Sequence, residues 1–220
     1  EWILRSLDNQ GHTCLPVDQL IGRLDDLLQT DVDDIANFIE SLLEQGALYS
    51  TYYEDILYIY PPEMYVSEVE GVHYTREFLL EADPIALDIS SFIEKFERDN
   101  YITFGDAQKE AIQLSFFEKF SLITGGPGTG KTTIIKALVK GFQLGGLGRI
   151  ILCAPTGRAA KRLTEATEFE ATTIHRLLVP VQGSDSYDFT KNEDDPLDID
   201  VIIIDEASML NVRLFYSLMA

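Results

Sequence analysis

The chain has 220 residues, 45% of them hydrophobic, and a formal net charge of −20 at pH 7. That length allows one or two domains with a full core, and no apolar run approaches the ~20 residues of a membrane span. No signal peptide is visible, and Cys14 and Cys153 stand far apart without metal-ligand spacing, so a reducing, cytoplasmic setting is expected. The sequence opens on Glu1 rather than Met and reads as a piece of something longer.

The charge is unevenly spread. Residues 1–100 hold 22 Asp and Glu against 5 Lys and Arg, whereas residues 101–220 hold 15 against 12. Only the second half can offer a basic track to a polyanion.

In chain order, residues 17–29 and 31–45 read as two amphipathic helices. In the second, Ile35, Phe38, Ile39, Leu42 and Leu43 follow the spacing of one buried face. Thr30 is a candidate cap, Asp31, Asp33 and Asp34 suit the first turn, and Gly46 suits the end. Ala47–Tyr53 and Ile56–Tyr60 read as strands around Glu54-Asp55, closed by Pro61-Pro62. Helices followed by a hairpin predict a winged-helix-like module. Its second helix carries acidic residues and no Lys or Arg, which disfavours DNA reading and favours support or a protein partner. His12 and His73 have no partner at ligand spacing. Residues 65–83 and 85–98 read as connecting helices with Asp83-Pro84 between them, and Asn100 begins a new segment. From residue 102 helix and strand alternate, which argues for a parallel sheet. The polar stretch Gln182–Asp195 reads as the most mobile loop.

Gly125-Gly126-Pro127-Gly128-Thr129-Gly130-Lys131-Thr132 has the spacing of a phosphate-binding loop. Phe120–Thr124 reads as the strand entering it and Thr133–Val139 as the helix leaving it. Glycines at Gly126, Gly128 and Gly130 let successive N–H groups, with that of Thr129, point at one anion, and the helix N-terminus adds its positive end. Lys131 reaches the β- and γ-phosphates, Thr132 Oγ1 can ligate Mg²⁺, and Thr133 follows on the first helical turn. ATP and Mg²⁺ are therefore the expected cofactors. Val201–Ile204 reads as a strand buried on both faces, because four β-branched residues run together. Asp205 and Glu206 follow at its C-terminal end, where open α/β sheets bind ligands. Asp205 is the candidate Mg²⁺ ligand and Glu206 the candidate base for an attacking water, which favours hydrolysis over group transfer.

Three further segments narrow the reading. Thr103–Gln108 opens a helix before the phosphate loop. Gly148–Ala154 reads as a buried strand ending in Pro155-Thr156-Gly157-Arg158-Ala159-Ala160-Lys161-Arg162-Leu163. Ala171-Thr172-Thr173-Ile174-His175-Arg176-Leu177-Leu178 follows. With the glycine loop and Asp-Glu-Ala-Ser-Met, these resemble superfamily 1 DNA helicases of the RecD-like branch, related to the alpha subunit of exodeoxyribonuclease V and to the TraA helicase. The likeness is strong over residues 101–220 and weaker before, where Gly-His-Thr-Cys-Leu-Pro at 11–16 also fits.

The resemblance implies an incomplete RecA-like parallel sheet of the P-loop NTPase class. It also implies adenine recognition by Gln108 and a single-stranded DNA track through residues 154–178, using Thr156, Arg158, Thr173 and His175. The expected organisation is an acidic winged-helix-like module over 1–64, a helical connector over 65–100, and a first RecA-like motor domain over 101–220, cut short after the Asp-Glu pair. The family continues with a Gln-bearing strand and a second RecA-like domain carrying an arginine finger, so a central strand of the sheet is expected to be missing. A P-loop kinase or transferase, and a nucleotide-gated scaffold binding a protein partner, are the competing classes. The Asp205-Glu206 pair and the Pro-Thr-Gly-Arg segment argue against the first, and the intact Lys131, Thr132, Asp205 and Glu206 against the second.

Overall fold

The computed structural model describes residues 3–4, 11–29, 31–80, 85, 87–183 and 187–220. Thr30 and Asp83-Pro84 lie outside the described residues, as does part of the Gln182–Asp195 stretch. Packing divides the chain into Glu1–His73 with Asn211–Met219, and Tyr74–Leu210.

The first unit is built from β1 (Leu15–Pro16), α1 (Val17–Leu28), α2 (Val32–Glu44), β2 (Tyr49–Tyr53) and β3 (Ile56–Tyr60), with α9 (Val212–Met219) added from the C-terminal end. Asp31 caps α2, its carboxylate accepting the Asp33 N–H at 2.9 Å, while Asp33 and Asp34 meet the positive helix end. Gly46, at φ +69°, turns the chain out of the helix. Ile35 and Ile39 are buried, but Phe38 is 60% exposed and does not share their face. At about 100° per residue it stands to one side of the line through Ile35, Ile39 and Leu42. The strands form an antiparallel sheet in the order β1-β3-β2. Glu54 and Asp55 both take positive φ, 48° and 62°, the twist a two-residue hairpin turn requires. Ile59 is fully buried at the centre of this unit's core, with Leu15, Leu20, Ile35 and Ile39.

α3 (Pro62–Leu80) carries the chain across the boundary between the units. Pro62 sits at its first residue, where its missing N–H costs no bond.

The second unit continues with α4 (Ile89–Asn100), α5 (Asp106–Phe117), α6 (Lys131–Leu144), β4 (Ile150–Ala154), α7 (Gly157–Thr167), β5 (Ala171–Thr173), α8 (Ile174–Leu178) and β6 (Val201–Ile204), followed by a 3₁₀ turn at Ala207–Met209. Its sheet is parallel, in the order β5-β4-β6. Leu152 and Cys153 of the central strand are buried, and burial pushes the Cys153 thiol up to about 12, which leaves it an inert core residue. α4, α5 and α6 pack through Phe92, Phe96, Ile112, Phe116, Leu138 and Phe142. α6 and α7 meet β4 through Ile135, Val139, Leu152 and Leu163.

Three further expectations change. Asn100 does not open a segment; it ends α4, its side-chain amide donating to the Phe96 carbonyl at 2.8 Å. Residues 120–124 lead into the phosphate loop without forming a strand. Ile123 packs on the core, but Leu122 is 72% exposed, and no described strand lies beside this segment to bond it. An extended apolar run becomes a strand only when a neighbour takes its N–H and C=O groups. β6 is half-buried along its whole length rather than buried on both faces, because β4 is its one partner among the described residues. No described helix is long and apolar enough to cross a membrane.

Candidate nucleotide-binding site

The phosphate loop bends through Gly128 and Gly130, at φ +75° and +80°. Gly130 then begins α6 in the left-handed region, so Lys131 and Thr132 stand on the first turn, at the positive helix end. The positive φ of Gly130 favours glycine, and a Cβ there would lie 2.5 Å from Gln108 Nε2, so that amide would have to move. At Gly126 and Gly128 a Cβ would meet nothing within 4 Å, so the backbone there faces open space. Thr129 Oγ1 donates to the Gly126 carbonyl at 2.9 Å and braces the bend. Lys131 Nζ folds back onto the Gly125 and Gly126 carbonyls, at 2.6 and 2.9 Å. The ammonium is thereby held over the loop, where an anion with stronger acceptors can take it from two neutral carbonyls. This cradle, with its cation in place, fits the phosphates of a nucleotide.

Gln108 stands on the first turn of α5. Its Oε1 accepts the Gly105 N–H at 2.8 Å and its Nε2 donates to the Thr129 carbonyl at 2.9 Å. The sequence expectation placed it near the adenine; here it touches the loop itself. A cavity of about 390 Å³ opens beside the first turns of α6, lined by Thr132, Thr133, Lys136, Phe96, Asn100 and Ile102.

The parallel strands carry the remaining candidates to one edge of the sheet. Ala154 pairs with Thr173 and Cys153 with Ile204, so the residues after β4, β5 and β6 emerge side by side. Asp205 is half-buried; its N–H continues the ladder to the Cys153 carbonyl at 2.9 Å, and its Oδ1 accepts the Glu206 N–H at 3.0 Å. Glu206 is exposed and left-handed, at φ +57°, a conformation that costs a non-glycine residue about 1 kcal/mol or more. Among the described residues, no hydrogen bond or ion pair joins Asp205 or Glu206 to Lys131 or Thr132. Nor does any group of three His, Cys, Asp or Glu side chains there form a metal cage. One carboxylate and one hydroxyl suit Mg²⁺ that arrives on phosphate oxygens.

Thr156 and Thr173 each cap a helix. Thr156 Oγ1 accepts the Ala159 N–H at 3.2 Å, and Thr173 Oγ1 accepts the Arg176 N–H at 3.2 Å. Arg158, Lys161, Arg162 and Arg176 are exposed, and Lys161 is 3.9 Å from Glu165. His175 is half-buried against the rings of Phe189 and Tyr187, with centroids 5.7 and 6.3 Å away. Those rings belong to the polar stretch read as a loop. Its described ends are bridged, with Pro180 paired to Phe189, and the Thr190 N–H on the Val179 carbonyl at 2.8 Å.

Sequence reasoning missed Glu97. This residue lies on α4, upstream of the phosphate-loop motifs, and accepts the Phe104 N–H at 2.6 Å and the Lys109 ammonium at 3.1 Å. Its acidic neighbours on a surface helix gave no signal of that role.

A glycine loop opening a helix, next to a parallel sheet whose strand ends carry an Asp-Glu pair, is the frame of a P-loop NTPase. Residues 108–220, just over half the chain, match the family model of the AAA domain, and the chain belongs to that family.

Among curated proteins, the chain is similar to the ATP-dependent RecD2 DNA helicase of Deinococcus radiodurans, with 46% identity over 99 residues, 45% of this chain and 13% of that protein. It is also similar to the RecBCD enzyme subunit RecD of Mycolicibacterium smegmatis, 35% identical over 136 residues, 52% of this chain and 24% of the relative. The RecD subunit of Haemophilus influenzae is 36% identical over 138 residues, 51% of this chain and 21% of that subunit. The chain thus spans a quarter or less of the length of these relatives, and its likeness is to RecD-like helicases.

Proposed function

We propose that this chain is the ATP-binding part of a cytoplasmic RecD-like DNA helicase acting in recombination and repair. The observation that carries the reading is the loop Gly125–Thr132, bent through two left-handed glycines onto the start of α6, in a chain whose β6 ends in Asp205-Glu206. Lys131 holds the terminal phosphates, and the N–H groups of the loop take the others. Thr132 and Asp205 hold Mg²⁺, which when bound draws charge from the phosphate oxygens. Glu206, clear of the metal, orients a water and accepts its proton. Gln108, Gly126, Gly128, Thr129, Gly130 and Thr133 complete the nucleotide contacts.

Thr156, Arg158, Thr173 and His175 face single-stranded DNA along residues 154–178. Hydroxyls, guanidinium groups and helix-start N–H groups hold phosphates without reading sequence. In the longer parent, a second RecA-like domain supplies an arginine finger, a group worth roughly 10³–10⁵ in rate, so the 220 residues alone hydrolyse ATP poorly. Coupling to 5′-to-3′ movement is what the RecD likeness supports. The domain plan is residues 1–64 as an acidic winged-helix-like module that meets a protein partner, 65–100 as connector and 101–220 as motor.

Glu206→Gln tests the assignment. In the parent it should leave the Mg-ATP dissociation constant unchanged and abolish DNA-stimulated phosphate release. Turnover equal to wild type would remove Glu206 as the base, and hydrolysis unresponsive to single strands would remove the helicase.

A further inference from the structure

A path of three hydrogen bonds, linked by the Phe104-Gly105 backbone, runs from α4 to the phosphate loop. The Glu97 side chain is 14% exposed and accepts the Phe104 N–H at 2.6 Å. That bond, with the Lys109 ammonium, holds the carboxylate below its usual range, so it is ionised at neutral pH. Phe104 is buried and its ring stacks on Phe96 of α4, with centroids 5.8 Å apart, so the Glu97 bond fixes an anchored segment. One residue on, the Gly105 N–H donates to Gln108 Oε1 at 2.8 Å, and Gln108 Nε2 donates to the Thr129 carbonyl at 2.9 Å. Thr129 is the residue whose hydroxyl closes the bend onto Gly126. A Cβ at Gly130 would lie 2.5 Å from Gln108 Nε2 and would push that amide off its place.

We propose that Glu97 is a positioning residue for the phosphate loop and acts through Gln108. Glu97 fixes the Phe104-Gly105 backbone. That backbone fixes the carbonyl end of the Gln108 amide, and the other end of the amide sets the peptide between Thr129 and Gly130. The N–H groups that would meet a phosphate lie in that turn, and an ångström of drift there misaims them. The pair therefore governs affinity for the polyphosphate, whatever base it carries. This rests on the reading of Gly125–Thr132 as a nucleotide site.

The test compares Mg-ATP with Mg-tripolyphosphate, which has no base, by calorimetric titration of the 220-residue chain. Glu97→Ala and Gln108→Ala should each weaken both ligands, by about tenfold and to the same extent. The double variant should be no weaker than the worse single one, because the two act along one path. Glu97→Gln, which keeps an acceptor for the Phe104 N–H, should return to within about twofold of wild type. Thermal midpoints taken beside the titrations separate loop positioning from loss of fold. Should Glu97→Ala fail to fold, Glu97→Asp, one methylene too short for the Phe104 N–H, replaces it in the cycle.

A Gln108→Ala loss confined to ATP would overturn the proposal, as would additive losses or a Glu97→Gln no better than the alanine. Wild type binding neither ligand, or Lys131→Ala binding both as wild type does, would overturn the nucleotide site itself and the proposal with it.

Discussion

Lys131 shows how much one residue's surroundings decide. The ammonium of Lys131 is held by two carbonyls of its own loop, so its placement comes from the backbone bend and not from a carboxylate partner. That bend depends on Gly130. Gly130→Ala forces a left-handed alanine against Gln108, at a cost of about 1–3 kcal/mol, and should lower the thermal midpoint and the affinity for Mg-ATP together. Unchanged nucleotide affinity in a folded Gly130→Ala chain would show that the bend is not part of the site.

The loop was legible in the sequence because its glycines, lysine and threonine are adjacent. Glu97 was not, because its partners lie 7 and 12 positions away and meet it only after α4 and α5 pack. Phe38 was misplaced for the opposite reason. Its spacing fits a stripe, but stripe width is set by what packs against the helix.

Among the elements, β4 and β6 are tied at their starts by Arg149. Its guanidinium bonds both Asp198 and Asp200, and Asp200 also accepts the N–H groups of Gly148 and Arg149, at 3.0 and 2.9 Å. The Arg149 bonds hold the Asp200 carboxyl at about 2, against an ordinary 3.8. A folded-state value below the unfolded one means that the contribution to stability is present above about pH 4 and is lost as pH falls toward 2. Acid denaturation followed by circular dichroism should show this as a loss of stability over that interval. Asp200→Asn should flatten it, and an identical acid profile in the variant would remove the clamp from the account.

At the opposite end of the same strands, Thr156 caps α7. Thr156→Ala should cost about 1 kcal/mol through the lost cap alone, and Thr156→Ser should restore it. If Thr156 also holds a DNA phosphate in the parent, single-strand affinity falls in the alanine variant and recovers in the serine variant. Affinity equal in all three leaves Thr156 as a cap and nothing more.

For the molecule as a whole, the decisive feature is how charge and the candidate site residues are divided between two units. Between Arg23 and Arg76 the chain carries twelve Asp and Glu and no Lys or Arg, whereas every candidate nucleotide and DNA residue lies in Tyr74–Leu210. A ligand that binds only folded protein stabilises it by about 2.7 kcal/mol at a hundred times its dissociation constant. Hydrogen exchange should place that protection in residues 125–133 and their neighbours in α5 and α6. Exchange over residues 11–73 should stay as it was, and protection spreading into that range would mean that the two units respond as one.

The sequence by itself carried the class of the protein and its candidate site residues. Local glycine spacing, the run of β-branched residues and the acidic pair after it depend on neighbours along the chain, so the phosphate loop, β6 and the NTPase class could be read directly. The alternation of helix and strand likewise determined the parallel sheet. Tertiary structure decided what those parts meet. It left residues 120–124 without a ladder and β6 half-buried, because a strand needs a partner that no periodicity supplies. It also turned Gln108 onto the Thr129 carbonyl and linked it to Glu97 through the Phe104-Gly105 backbone, because a glutamine amide bonds whatever donor and acceptor packing brings within reach.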